Sequence, residues 1–263
     1  GPDETGTSTY TSDGVGAITD VLSSEAPNLN GSRATLFAGS GVGSTDDIDT
    51  DVAELDVTNT TSNTIDIVEV DDVSVLRLLS TVADDTDAST GSISLIASGT
   101  ITVASGQSGV SAIDGNVTLD ADTANSDLIV EAAVSTSLLG NVLLRADDAV
   151  FFGIAGDVTG SGAGNVTVTA NHNATASDGI MSSQVSTATM VEANSITMAD
   201  SGSDSTVIDG GSGRLILSTA AAANTDTSGG DVRLGRLVTT HDSDTSTSSA
   251  VTITTNGGIY DIG

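Results

Sequence analysis

Two acidic runs concentrate the hard oxygen ligands of this chain: Asp46-Asp47-Ile48-Asp49-Thr50-Asp51 and Asp84-Asp85-Thr86-Asp87. Closely spaced carboxylates suit Ca²⁺, which gathers about six to eight oxygens in an irregular shell. Asp46, Asp47, Asp49, Asp51, Asp84, Asp85 and Asp87 are therefore the candidate metal ligands, with Ca²⁺ the expected ion and no other cofactor required. The competing reading is a set of solvated turns, because the short Asp side chain bonds its own backbone. Two specific calcium signatures fail. Asp209-Gly210-Gly211-Ser212-Gly213-Arg214-Leu215 begins like a calcium roll but carries Leu215 where the ligand aspartate belongs. Asp120-Ala121-Asp122-Thr123-Ala124 starts like an EF-hand loop, then lacks its third ligand and its glycine.

Other chemistry finds less support. The only histidines, His172 and His241, lie in Asn171-His172-Asn173 and Thr240-His241-Asp242, both turn-like. A serine triad needs a histidine oriented by an acid and a nucleophile on a sharp elbow, and Gly210-Gly211-Ser212-Gly213 reads as a corner. Paired carboxylates for glycoside hydrolysis are available among so many acids. With no lysine, no tryptophan and six scattered arginines, however, cationic and aromatic sugar contacts are scarce. A carbohydrate-active β-helix enzyme is the third-ranked reading.

The elements that must hold these residues are short strands. A small or polar residue followed by an aliphatic–x–aliphatic triplet recurs at Ile93, Val117, Val142, Val166, Ile196, Leu215, Val232 and Val251. The third residues are Leu95, Leu119, Leu144, Val168, Met198, Leu217, Leu234 and Ile253, so both aligned columns are wholly apolar. Residues i and i+2 of a strand share a face, and each triplet is a strand with one buried side. The differences between successive starts are 24, 25, 24, 30, 19, 17 and 19, a repeat architecture. A second apolar stretch follows several triplets, at Ile101, Leu128 and Val150. The expected fold is all-β: a single parallel β-helix, or β-solenoid, of about ten to twelve coils. Alternation before residue 90 covers 34–37, 52–57, 64–70 and 73–79, and the ten-residue steps of the last three suggest successive faces of coils.

Composition agrees. Aromatic residues make up 2% of the chain, which a stacked aliphatic tube does not need to exceed. Phe37, Phe151, Phe152, Tyr10 and Tyr260 are expected as core fillers or end caps. Acids outnumber bases 36 to 6, for a net charge of −30 with no lysine. Such a surface repels nucleic acid and anionic membranes and suits saline surroundings. No run approaches the roughly 18 apolar residues of a membrane helix, so no direct membrane insertion is expected. There is no cysteine.

Corner residues repeat as well. Gly115-Asn116, Gly140-Asn141 and Gly164-Asn165 precede three successive triplets, with Gly91-Ser92, Gly213-Arg214 and Gly230-Asp231 as variants. Asn at one corner of adjacent coils is expected to form a ladder. Residues 1–263 read as one solenoid segment cut from a longer chain, with Gly1-Pro2 a tag scar and 1–14 polar and frayed.

The stretches Gly115-Asn116-Val117-Thr118-Leu119-Asp120-Ala121, Gly164-Asn165-Val166-Thr167-Val168-Thr169-Ala170 and Leu36-Phe37-Ala38-Gly39-Ser40-Gly41-Val42-Gly43-Ser44 resemble repeats of filamentous-haemagglutinin-like proteins. These are very large bacterial surface and secreted proteins. The resemblance implies a right-handed β-helix, an extracellular or cell-surface location, and a place in a long fibre; it carries over no functional residues. The leading expectation is thus a non-enzymatic spacer of a giant adhesin-like protein, in contact with neighbouring segments of the same chain. The alternative is a calcium- or ligand-binding adhesive module that recognises a cell-surface glycan or protein, with the loop 171–191 the best candidate.

Overall fold

The computed structural model describes residues 7–11, 15–21, 25–83, 87–172, 194–219, 230–241 and 249–262. These residues contain strands and turns and no helix, and every pairing between strands is parallel. The one antiparallel contact is an isolated bridge, Asp200 to Ser205. The fold is a parallel β-solenoid whose strands stack into three faces.

The first face aligns Ile18, Val42, Ile65, Ile93, Val117, Val142, Val166, Leu215 and Val251, nine rungs in register. The second runs Val73, Ile101, Leu128, Val150, Ile196, Val232 and Ile259. The third runs Tyr10, Leu36, Val57, Leu78, Val110, Val134, Val158, Ile208 and Leu237. One continuous core fills the tube from Leu29 to Val232. Nine rungs at about 4.8 Å give a stack roughly 40 Å long.

Two expectations need correction. The triplets at Ile196 and Val232 belong to the second face, not to the column of Ile93, so they add no coils of their own. Nine rungs, rather than ten to twelve, can therefore be followed among the described residues. The later coils are instead long: Val166 pairs with Leu215, and Leu215 with Val251. The third face escaped sequence reading because its strands Gly109–Ala112, Val134–Thr136 and Val158–Gly160 are short and carry only one large aliphatic residue each. In the first ninety residues the expectation of successive faces holds only in part: 64–70 lies on the first face, whereas 52–57 and 73–79 pair with each other and stack on the same faces of adjacent coils.

The corner ahead of the first face is built from glycine and asparagine. A Cβ on Gly140 would lie 2.2 Å from the Gly115 carbonyl oxygen, and one on Gly164 would lie 2.0 Å from that of Gly140. Backbones meet there, and only glycine fits. Beside them Asn116 Oδ1 accepts the backbone N–H of Asn141 (2.9 Å), Asn141 Oδ1 accepts that of Asn165 (2.8 Å), and Asn165 Oδ1 accepts that of Arg214 (3.0 Å). The expected ladder exists, and Ser92 extends it by accepting from Asn116 N–H at 3.0 Å. Gly230-Asp231 serves a different corner, ahead of the second face, where Asp231 Oδ1 accepts from Gly258 N–H.

Of the rings, Phe152 is fully buried in the core, whereas Phe37 and Tyr260 are exposed. Phe151 points out of the tube yet is covered, packed with Ile129, Ala149 and Ala199 in a small second cluster. The Arg233 guanidinium stacks over the Tyr260 ring, 5.5 Å from its centroid.

Candidate functional site

The run 46–51 crosses a corner, and that divides its carboxylates. Strand Ile48–Asn59 begins on the first face, where Ile48 pairs with Ile67 and Asp49 with Val68. Ile48 points into the core, so Asp49 points away from it. Asp47 and Asp49 meet Glu25, contributed by the preceding coil, with one carboxylate oxygen of each within 4.8 Å of the others. Asp46 is exposed beside them. Asp51 lies past the corner and groups instead with Glu69 and Asp71 over the same span.

The two groups differ electrically. Asp49 is 3% exposed, and burial, reinforced by the charges of Asp47, Glu25, Asp20 and Asp46, holds its carboxyl above the usual range. No hydrogen-bond donor and no cation among the described residues offsets this. Asn28 ties the surrounding backbone together: its Oδ1 accepts from Asp49 N–H (2.9 Å) and its Nδ2 donates to Asp20 Oδ1 (2.9 Å). Gly43, at φ +68°, lets the approach loop close; a Cβ there would lie 2.1 Å from Asp66 O.

Glu69 is the opposite case, a fully buried carboxylate with a full set of donors. Thr50 Oγ1 donates to Oε2 at 2.7 Å, Val70 N–H donates to Oε1 at 3.0 Å, and Val52 N–H donates to both oxygens at 3.2 Å. Burial nonetheless outweighs these bonds and pushes its pKa up to about 7. In the next coils its column holds Ala97, Ala121 and Ala146. Sequence reading missed Glu69, although the alternation Ile65, Ile67, Glu69 points it inward.

The second run yields less. Asp84 and Asp85 lie outside the described residues. Asp87 is exposed, and its Oδ1 accepts from both the N–H and the hydroxyl of Ser89 (2.8 and 2.7 Å), which lowers its pKa. That is turn chemistry. Asp209 does the same for Gly211 N–H at 2.8 Å.

Among the described residues, neither histidine is in hydrogen-bond contact with an acid. His172 Nε2 meets Arg145 Nη1 at 3.0 Å, so that nitrogen is the acceptor, and His241 Nδ1 faces Ser212 O at 3.1 Å. Arg145 also pairs with Asp120, which is 3% exposed and whose Oδ1 has no partner. Burial raises the Asp120 pKa, and Arg145 opposes the rise. The loop candidate 171–191 lies almost wholly outside the described residues; of it, only Asn171 and His172 are seen. An open groove of about 500 Å³ runs over the second face between Asp72 and Glu131, floored by Ser74, Thr102 and Ile129.

The fold and these corners define a parallel β-solenoid with acidic edges. Comparison with protein-family models, curated protein sequences and solved structures returns no match.

Proposed function

We propose that this chain is a non-enzymatic spacer, a rigid segment of an extracellular or cell-surface fibre. The observation that carries this reading is the aliphatic column of the first face, nine rungs deep, with a constant strand register from Ile65 to Val251. The first described strand, Thr7–Thr11, and the last, Ile259–Asp261, cap opposite ends of the stack, so tension enters at one end and leaves at the other. Each coil is held to the next by backbone ladders on three faces, which load in parallel. The likeness to filamentous-haemagglutinin repeats and the lysine-free acidic surface favour a bacterial, saline setting, with neighbouring segments of the same chain as the natural contacts.

An enzymatic reading has less behind it. Glu69, whose pKa is pushed up to about 7, is sealed inside the tube and cannot reach a substrate. The second-face groove lacks an exposed ring on which a sugar would stack, since Phe151 is covered. Among the described residues no helix is long and apolar enough to cross a membrane.

Pulling the chain from its two ends in an optical trap tests the proposal. A spacer resists and then yields in coil-sized steps. Smooth extension at low force would reject it, as would release of reducing ends from a polysaccharide panel.

A further inference from the structure

We propose that Glu25, Asp47 and Asp49 form a single Ca²⁺ site that fastens the segment ahead of strand Leu29–Ala38 to the first-face corner. The proposal goes beyond the spacer reading and stands independently of it. One oxygen from each carboxylate lies within 4.8 Å of the others. Ions at 2.3–2.6 Å from their ligands hold pairs of oxygens no more than about 5 Å apart, so the three oxygens lie within the span that one Ca²⁺ gathers.

A second observation points to a ligand. Asp49 is 3% exposed, its carboxylate faces Glu25 and Asp47, and among the described residues it has neither donor nor counter-charge. Buried carboxylates are ordinarily paired or bound to a metal. The companion group Asp51, Glu69 and Asp71 fails this test, because Glu69 is satisfied by Thr50, Val52 and Val70. Nearby bases are committed elsewhere: Arg33 and Arg77 both pair with Asp56. The all-carboxylate donor set from two separate segments favours Ca²⁺ over Mg²⁺, which requires a tighter octahedron and keeps its waters.

Ca²⁺ stabilises by binding the folded chain alone, and it does so by bridging residues 22 positions apart, from Glu25 to Asp47. The test is calorimetric titration of the 263-residue chain with CaCl₂ and with MgCl₂ in NaCl of matched ionic strength. One ion per chain at the high-affinity step is expected, with Mg²⁺ weaker. Glu25 is exposed, so Glu25→Gln leaves the fold intact and should weaken that step about tenfold or more by removing a ligand charge. Asp49→Asn should abolish it, while Asp71→Asn should not. Absence of a saturable step overturns the proposal. So does a step that survives Glu25→Gln and Asp49→Asn but disappears in Asp71→Asn.

Discussion

Asn141 donates both its backbone N–H and its side-chain Nδ2 to one acceptor, Oδ1 of Asn116 in the coil before it, each at 2.9 Å. A single side-chain oxygen thus answers two donors at a corner where the strand ladder is interrupted. Asn116→Ala leaves both donors to water, at a cost of about 0.5–1.5 kcal/mol. Asn116→Asp keeps the acceptor and should cost less, despite its added charge. Urea unfolding of the two variants checks the order.

Gly140→Ala is expected to be worse than its size suggests. The new Cβ would sit 2.2 Å from both Gly115 O and Thr136 Oγ1, forcing the stacked corners apart. A loss on the order of 1–3 kcal/mol is expected from overpacking. Gly106→Ala is the control: nothing lies within 4 Å of its Cβ, and only the strain of φ +70° remains. Comparison of the two thermal midpoints separates contact from strain.

Among the described residues Phe152 is the largest fully buried side chain, stacked between Val130 and Met198. Phe152→Ala should cost about 3–5 kcal/mol, because flanking coils held by backbone ladders cannot collapse into the void. Phe37→Ala, at an exposed ring, should change little. Denaturant midpoints report both.

Glu69 makes stability fall as pH rises. Its folded pKa of about 7 exceeds its ordinary value of 4.5, so the folded chain holds that proton more tightly than the unfolded one. Its contribution is complete below the ordinary value and is lost as pH climbs through 7, by roughly 3 kcal/mol at most. When protonated, Glu69 can donate to Thr50 Oγ1, which turns its own hydrogen to Val68 O (3.2 Å). Glu69→Gln reproduces that arrangement without the charge. In chelator, the variant should be the more stable protein at pH 8, and its advantage should vanish by pH 5. An advantage that does not change with pH would show that Glu69 is not the titrating group.

Arg145→Ala strands the buried Asp120 carboxylate, whose Oδ1 already lacks a partner. Loss of one partner of a buried pair costs about 3–5 kcal/mol. Asp120→Asn in the same background should recover part of it, a coupling that a double-mutant cycle measures directly.

Much of this molecule is legible in its residues. The first-face column can be read because its triplets alternate strictly and its corners repeat Gly-Asn, so the Asn ladder follows from spacing alone. The second-face triplets at Ile196 and Val232 look the same, because both faces bury two aliphatics across one polar residue. A local pattern reports that a residue is buried, not which wall of the tube it lines. The third face, with strands such as Val158-Thr159-Gly160, contributes too few apolar residues for any period to show.

The acidic run separates the two levels most sharply. Composition and spacing by themselves determine a lysine-free, strongly acidic solenoid with aspartates at its turns, since charge and period are properties of the chain. Which aspartates converge was decided only by the corner at Thr50, which sends Asp47 and Asp49 to Glu25 and Asp51 to Glu69 and Asp71. Coulomb energy and desolvation depend on distance and burial through space, and stacking brings together carboxylates some twenty residues apart along the chain.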